Sequence, residues 1–181
     1  MLRLRATVAA AGVLAVAAAA APAQAACSGA DLVPSHANAA KVRTATLCLL
    51  NAQRRAHGLR KLRSNDRLRR IAAGYAHEMV QQSFFDHVSP SGSTPLSRIK
   101  STRYLEGARS WSIGENLAWG TGSLATPRAT VRAWMHSPGH RANILNRTFR
   151  EIGIGIATGA PVPIDAAAPG ATYATDFGGR S

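Results

Sequence analysis

Between Glu151 and Thr158, Ile152, Ile154 and Ile156 alternate with Gly153, Gly155 and Ala157. A period of two is that of a strand, with successive side chains on opposite faces. Glycines along one face carry no side chain to stand between that face and its neighbour, so another backbone or a helix can come close. A fold built on this strand can set its sheet against a tightly packed partner.

Two further segments read as strands, Ile113 to Gly120 and Ala171 to Gly178. The second closes the chain after a Pro/Ala-rich hairpin loop. Helices come earlier. From Ala39 to His57, Val42, Thr46, Leu49, Leu50 and Gln53 fall near helical spacing, and Gly58 comes next as a stop. A second helix, capped by Ser64 or Asn65, repeats Leu68, Ile71, Ala72, Tyr75 and Met79 at three- and four-residue steps. Its other face carries Arg67, Arg69, Arg70 and Glu78, as exposure to water requires. Thr94-Pro95 opens a short helix through Lys100, and Thr126-Pro127 opens another through Val131 and Trp134 that Pro138-Gly139 should end. Helices and then a few strands predict an α+β domain, with helices packed on a small antiparallel sheet.

The N-terminus has a different purpose. Arg3 and Arg5, an Ala/Val/Leu run from Ala6 to Ala21, and Ala23-Gln24-Ala25 form the three regions of an export signal. Residues 1–25 are therefore expected to be cleaved, and the product to be secreted, periplasmic or attached to the cell wall. Gln24 stands where a lipid-attachment motif has Leu or Val, which argues against lipidation of Cys27. No later run reaches the 18 or so apolar residues of a membrane span, so no transmembrane anchor is expected after cleavage. Residues 26–38 read as an N-terminal tether and 39–181 as one domain, a length that buries about two thirds of its unfolded surface.

Charge and cysteine narrow the partners. The full chain has 22 Lys and Arg against 9 Asp and Glu, a net +13, which falls to +11 without Arg3 and Arg5. In an exported protein such charge points to anionic envelope polymers, phospholipid surfaces or acidic ligands rather than nucleic acid. Since 19 of those 22 residues are arginine, codon bias and a solvated surface account for it equally well. Cys27 and Cys48 are expected to pair in an oxidising compartment. The bridge would close a loop of about 20 residues and contribute on the order of 3 kcal/mol.

Three polar residues remain, His87, Glu115 and His140, set in FFDHVSPSG, IGENLAWG and WMHSPGHRANIL. Phe84 and Phe85 should plug the core ahead of His87. Glu115 begins a mainly apolar strand, an awkward place for a carboxylate without partners. His140 comes after a helix stop. Brought together, two imidazoles and a carboxylate have the ligand types of zinc or another divalent metal, and also those of a proton shuttle near neutral pH. A satisfied network that only holds loops together has the same composition.

The ordered motifs Leu49-Leu50-Asn51-x-x-Arg54, FFDHVSPSG, GENLAWG, AWMHSPGHRANIL, GIGIA and YATDFG resemble the CAP superfamily of cysteine-rich secretory, antigen 5 and pathogenesis-related proteins, most closely its compact bacterial branch. The resemblance spans about Ala39 to Gly178. It implies an α-β-α sandwich, a small central antiparallel sheet between helical layers, with an open cleft on one side. In eukaryotic relatives that cleft holds two histidines and two glutamates, which here would place His87, Glu115 and His140 in it. The fourth position, a glutamate one turn after the helix Trp, falls near Ser137, so one carboxylate is missing; Asp86 and His136 are nearby in sequence.

Three functions are compatible with these residues. One is a secreted module for a lipid, sterol-like or other small envelope ligand, its basic exterior helping it dock on anionic material. Another is a metal-assisted extracellular hydrolase, and the third a non-catalytic scaffold. The chain has no Gly-x-Ser-x-Gly elbow, His-Glu-x-x-His helix or phosphate-binding glycine loop to favour an enzyme. Binding is the preferred expectation.

Overall fold

The computed structural model describes residues 27–163 and 169–181. The export signal expected at 1–25, and residues 164–168 of the Pro/Ala-rich loop, lie outside the described residues. In chain order the elements are α1 (Ala39–Ala56), β1 (Arg63–Ser64), α2 (Asp66–Gln81), α3 (Pro95–Ser101), β2 (Trp111–Thr121), α4 (Pro127–His136), α5 (Pro138–Ile144), β3 (Glu151–Thr158) and β4 (Gly170–Arg180). Among the described residues a sheet of four strands, ordered β1-β3-β4-β2, runs through the middle. β4 pairs antiparallel with both β3 and β2.

Helices cover both faces, as the sandwich requires. α2 crosses the glycine face of β3, making the close approach that the bare glycine face allows. A Cβ on Gly153 would stand 2.1 Å from the Leu68 carbonyl carbon, and one on Gly155 would stand 2.1 Å from that of Ala72. On the other face Ile152, Ile154, Ile156, Tyr173 and Phe177 form the main core with Val42, Leu49, Leu50 and Trp134. The capping residues set three of the helix starts. Asn65 accepts from the Arg67 and Leu68 amides, Thr94 makes a reciprocal capping box with Ser97, and Thr126 accepts from the Ala129 amide.

Buried polar side chains tie these layers together. Arg54 is fully buried and donates to four carbonyls, those of Arg60 (2.8 Å), Ile144 (2.8 Å), Asn146 (2.9 Å) and Phe149 (3.2 Å). It joins α1 to the segment that leads from α5 into β3. The Cys27–Cys48 disulfide is formed, and Cys27 and Ala30 are buried within the main core cluster.

Three local expectations need correction. The sheet is mixed, because β1 runs parallel to β3 over Arg63↔Glu151 and Ser64↔Ile152. Two residues are too few to show a period, and Asn51 fixes the approach by bonding both the amide (2.7 Å) and the carbonyl (3.0 Å) of Leu62. Pro138-Gly139 ends α4 but immediately opens α5, since proline's fixed φ suits a first helical position as well as a stop. His140 therefore lies in the first turn of a helix. Finally, Phe84 packs edge-on against Tyr75 at 5.9 Å, whereas Phe85 is 40% exposed and plugs nothing.

Candidate functional site

β2 is an edge strand, and its middle is where the polar residues gather. Ile113 and Leu117 pack on the α2 and α3 side of the sheet, while Asn116 reaches α5 on the other. Glu115 belongs to the first set, and its side chain is 2% exposed. A carboxylate so buried needs partners, and it has two. Oε1 meets His87 Nδ1 at 2.7 Å, and Oε2 accepts from Arg98 NH2 at 2.7 Å.

The loop before α3 presents His87. Tyr75 donates its hydroxyl to the Asp86 carbonyl at 2.6 Å, and Asp86 Oδ1 accepts from the Val88 amide at 2.9 Å. The Ser89 hydroxyl then accepts from the Ser93 amide and closes the turn. The His87 ring stands 52% exposed above the buried carboxylate. The bond to Glu115 raises its pKa above the ordinary 6.5, against the opposing effect of burial.

From the other face, Asn116 and Asn143 bring His140 to the same edge. Asn116 Nδ2 donates to the His140 carbonyl at 3.0 Å. Asn143 Nδ2 donates to the Glu115 carbonyl (3.0 Å) and to Asn116 Oδ1 (2.9 Å). Trp134 Nε1 donates to the Leu117 carbonyl at 2.9 Å, and its ring lies 6.5 Å from the His140 ring. Burial lowers the pKa of His140, and the charge of His87 lowers it further. The two imidazoles are thus biased in opposite directions.

Two members of the site were not anticipated from the sequence. Arg98, on α3, has a side chain only 9% exposed and stacks its guanidinium 3.4 Å from the Tyr75 ring centroid. Asp176 on β4 is directly opposite Glu115 in the register. It is fully buried, and neither of its carboxyl oxygens meets a hydrogen-bond partner among the described residues. Burial, then the charge of Glu115, holds its pKa well above the ordinary 3.8. An aspartate inside an otherwise apolar strand, ATYATDFG, was the available signal for Asp176. Arg98 gave none, since one arginine in a short helix reads as a solvated charge.

Among the described residues none of the other nearby candidates bonds to the Glu115 carboxylate. The Asp86 charge acts on His87, but the His136 ring is bonded to the Arg132 carbonyl on α4. Ser137 joins α4 to α5 and supplies no carboxylate. The expectation of a divalent ion on His87, Glu115 and His140 does not fit this arrangement. Both Glu115 oxygens are engaged, one by a cation. Among the described residues no group of three or more His, Cys, Asp or Glu side chains is placed to hold a metal ion.

A helix-covered sheet, with histidines brought to its edge strand from both sides, is an arrangement that known proteins share. A profile of the cysteine-rich secretory protein (CAP) family matches residues 47–162, and the chain belongs to that family. It is 39% identical over 107 residues to YkwD of Bacillus subtilis, covering 59% of this chain and 39% of that protein. The chain thus spans about two fifths of that relative's length. Among solved structures, an extracellular SCP-domain protein of Bacillus anthracis aligns with a TM-score of 0.57 at 26% identity, over 76% of this chain and 42% of that one. An outer surface protein of Borrelia burgdorferi also gives 0.57, at 23% identity over 73% of this chain and 87% of that one, and shows the fold alone. Among the described residues no helix is long and apolar enough to cross a membrane.

Proposed function

We propose that this is an exported binding module whose cleft, between the His87 loop and α5, takes a small polar or lipid-like ligand of the cell envelope. One observation carries the reading. Glu115, the buried carboxylate beneath His87, is already neutralised by Arg98, so the site presents imidazole rather than negative charge. Phe85 and Val88, 40% and 44% exposed, flank His87 with apolar surface. Such a site suits a ligand with an acidic or hydrogen-bond-accepting group beside an apolar part. The expected export signal, the net +13 charge and the extracellular description of the Bacillus anthracis relative are consistent with work outside the cytoplasm.

Retention on isolated envelope lipid and wall fragments tests it. Wild-type protein is expected to stay bound at about 0.5 M salt, where exposed charges are screened, and the His87→Ala/His140→Ala double variant to elute. Retention that disappears in salt and is indifferent to both histidines would reduce the interaction to generic charge.

One observation favours a second reading, hydrolysis by proton transfer. Two histidines whose environments push their pKa values apart are suited to act as acid and base. Glu115→Gln is then expected to abolish turnover of a scissile envelope ester or amide, and an unchanged rate removes this reading.

A further inference from the structure

We propose that Arg98 is the resident cation of this site, its guanidinium holding the place on Glu115 that a divalent ion would need and making the His87/Glu115/His140 set metal-independent. The guanidinium is fixed from several directions. NH2 donates to Glu115 Oε2 (2.7 Å) and to the His87 carbonyl (3.1 Å), NH1 donates to the Ser93 carbonyl (2.7 Å), and the Tyr75 ring lies beneath it. A planar, permanently charged fork held in this way is part of the fold rather than a mobile counterion.

Charge balance gives the same answer. Glu115 and Arg98 cancel, and Ser137, between α4 and α5, supplies no second carboxylate to welcome a doubly charged ion. Asp176 does not substitute for it. That residue stands beside Glu115 on the neighbouring strand, sealed from solvent. Nε of Arg98 is itself buried without a hydrogen-bond partner among the described residues, so part of the guanidinium's bonding capacity is given up to keep the charge in this position. Take the charge away, and Oε2 of Glu115 is released in a site whose two imidazoles, not gathered around a metal while Arg98 is in place, are then free to close with it on zinc. One residue is therefore the switch between a metal-free and a metal-binding cleft. This holds whichever ligand the cleft takes, and failure of the envelope-retention experiment leaves it intact.

Zinc titration of the purified protein tests it, read as melting temperature and as zinc retained per chain after gel filtration. Wild type is expected to show no zinc-dependent shift and no retained zinc. Arg98→Met keeps an apolar stem for Tyr75 to pack on but no charge. It is expected to retain about one zinc per chain and to melt higher as zinc is added, and both effects should vanish when His140→Ala is combined with it. Arg98→Lys, which keeps the charge, should behave like wild type. If Arg98→Met does not fold, Arg98→Gln takes its place. Zinc that wild type retains and His87→Ala releases overturns the proposal, as does a folded, uncharged Arg98 variant that ignores zinc.

Discussion

β3 and β2 both lie beneath helices, but the two contacts are built from opposite materials. β3 meets α2 by having no side chains at Gly153 and Gly155, so backbone lies on backbone. β2 meets α3 and α5 through long polar side chains whose hydrogen bonds fill the gap, with Glu115, Arg98, Asn116 and Asn143 as the principal members. The first contact is steric and tolerates no added atom. The second is electrostatic, and it can be retuned as long as charge and hydrogen bonding stay balanced. Structure is held at β3, and chemistry is displayed at β2.

This contrast orders the expected effects of substitution. The largest belongs to Gly153→Ala, whose new methyl would overlap the α2 backbone. A loss of about 4 kcal/mol or outright failure to fold is expected in chemical denaturation, and a variant of wild-type stability would show that the contact is looser than described. Glu115→Gln comes next. It leaves the buried Arg98 charge without its counterion and is expected to cost about 3 kcal/mol, measured in the same way.

Asp176→Asn has a smaller effect, of opposite sign. A carboxyl whose folded pKa is raised destabilises the fold as pH climbs above its unfolded value of 3.8, up to the folded value. The asparagine variant should therefore gain on wild type progressively from about pH 4 upward. A stability difference that does not change with pH would mean that burial of this group costs nothing. The smallest effect is at His87, half exposed above the site. Its raised pKa contributes stability that is complete below 6.5 and is lost as pH rises through the folded value. His87→Gln is expected to remove that pH dependence while changing stability by under about 1 kcal/mol.

How much the sequence disclosed divides along the same line. The possibility of the β3 contact was legible because its cause is local: alternating Ile and Gly specify a strand with one bare face, which lets a helix or another backbone approach closely. Helix starts were legible for the same reason, since Asn65, Thr94 and Thr126 cap the amides two or three residues ahead. His87, Glu115 and His140 could be picked out as residues in special contexts. What they do to one another could not, because the decisive partner, Arg98, reaches Glu115 across a loop and a strand that only the tertiary fold brings together. β1 escaped detection because two residues have no period. α5 escaped because a Pro-Gly pair marks a boundary without specifying the element on its far side.

The side chains of Trp134 and Asn143 have a consequence beyond the histidine site. By donating to the Leu117 and Glu115 carbonyls, they occupy backbone groups along the open border of the sheet. An incoming strand from another molecule would have to displace them before it could lengthen the sheet. The bonds that hold α4 and α5 against β2 thus also guard that border against edge-to-edge pairing with another copy of the chain.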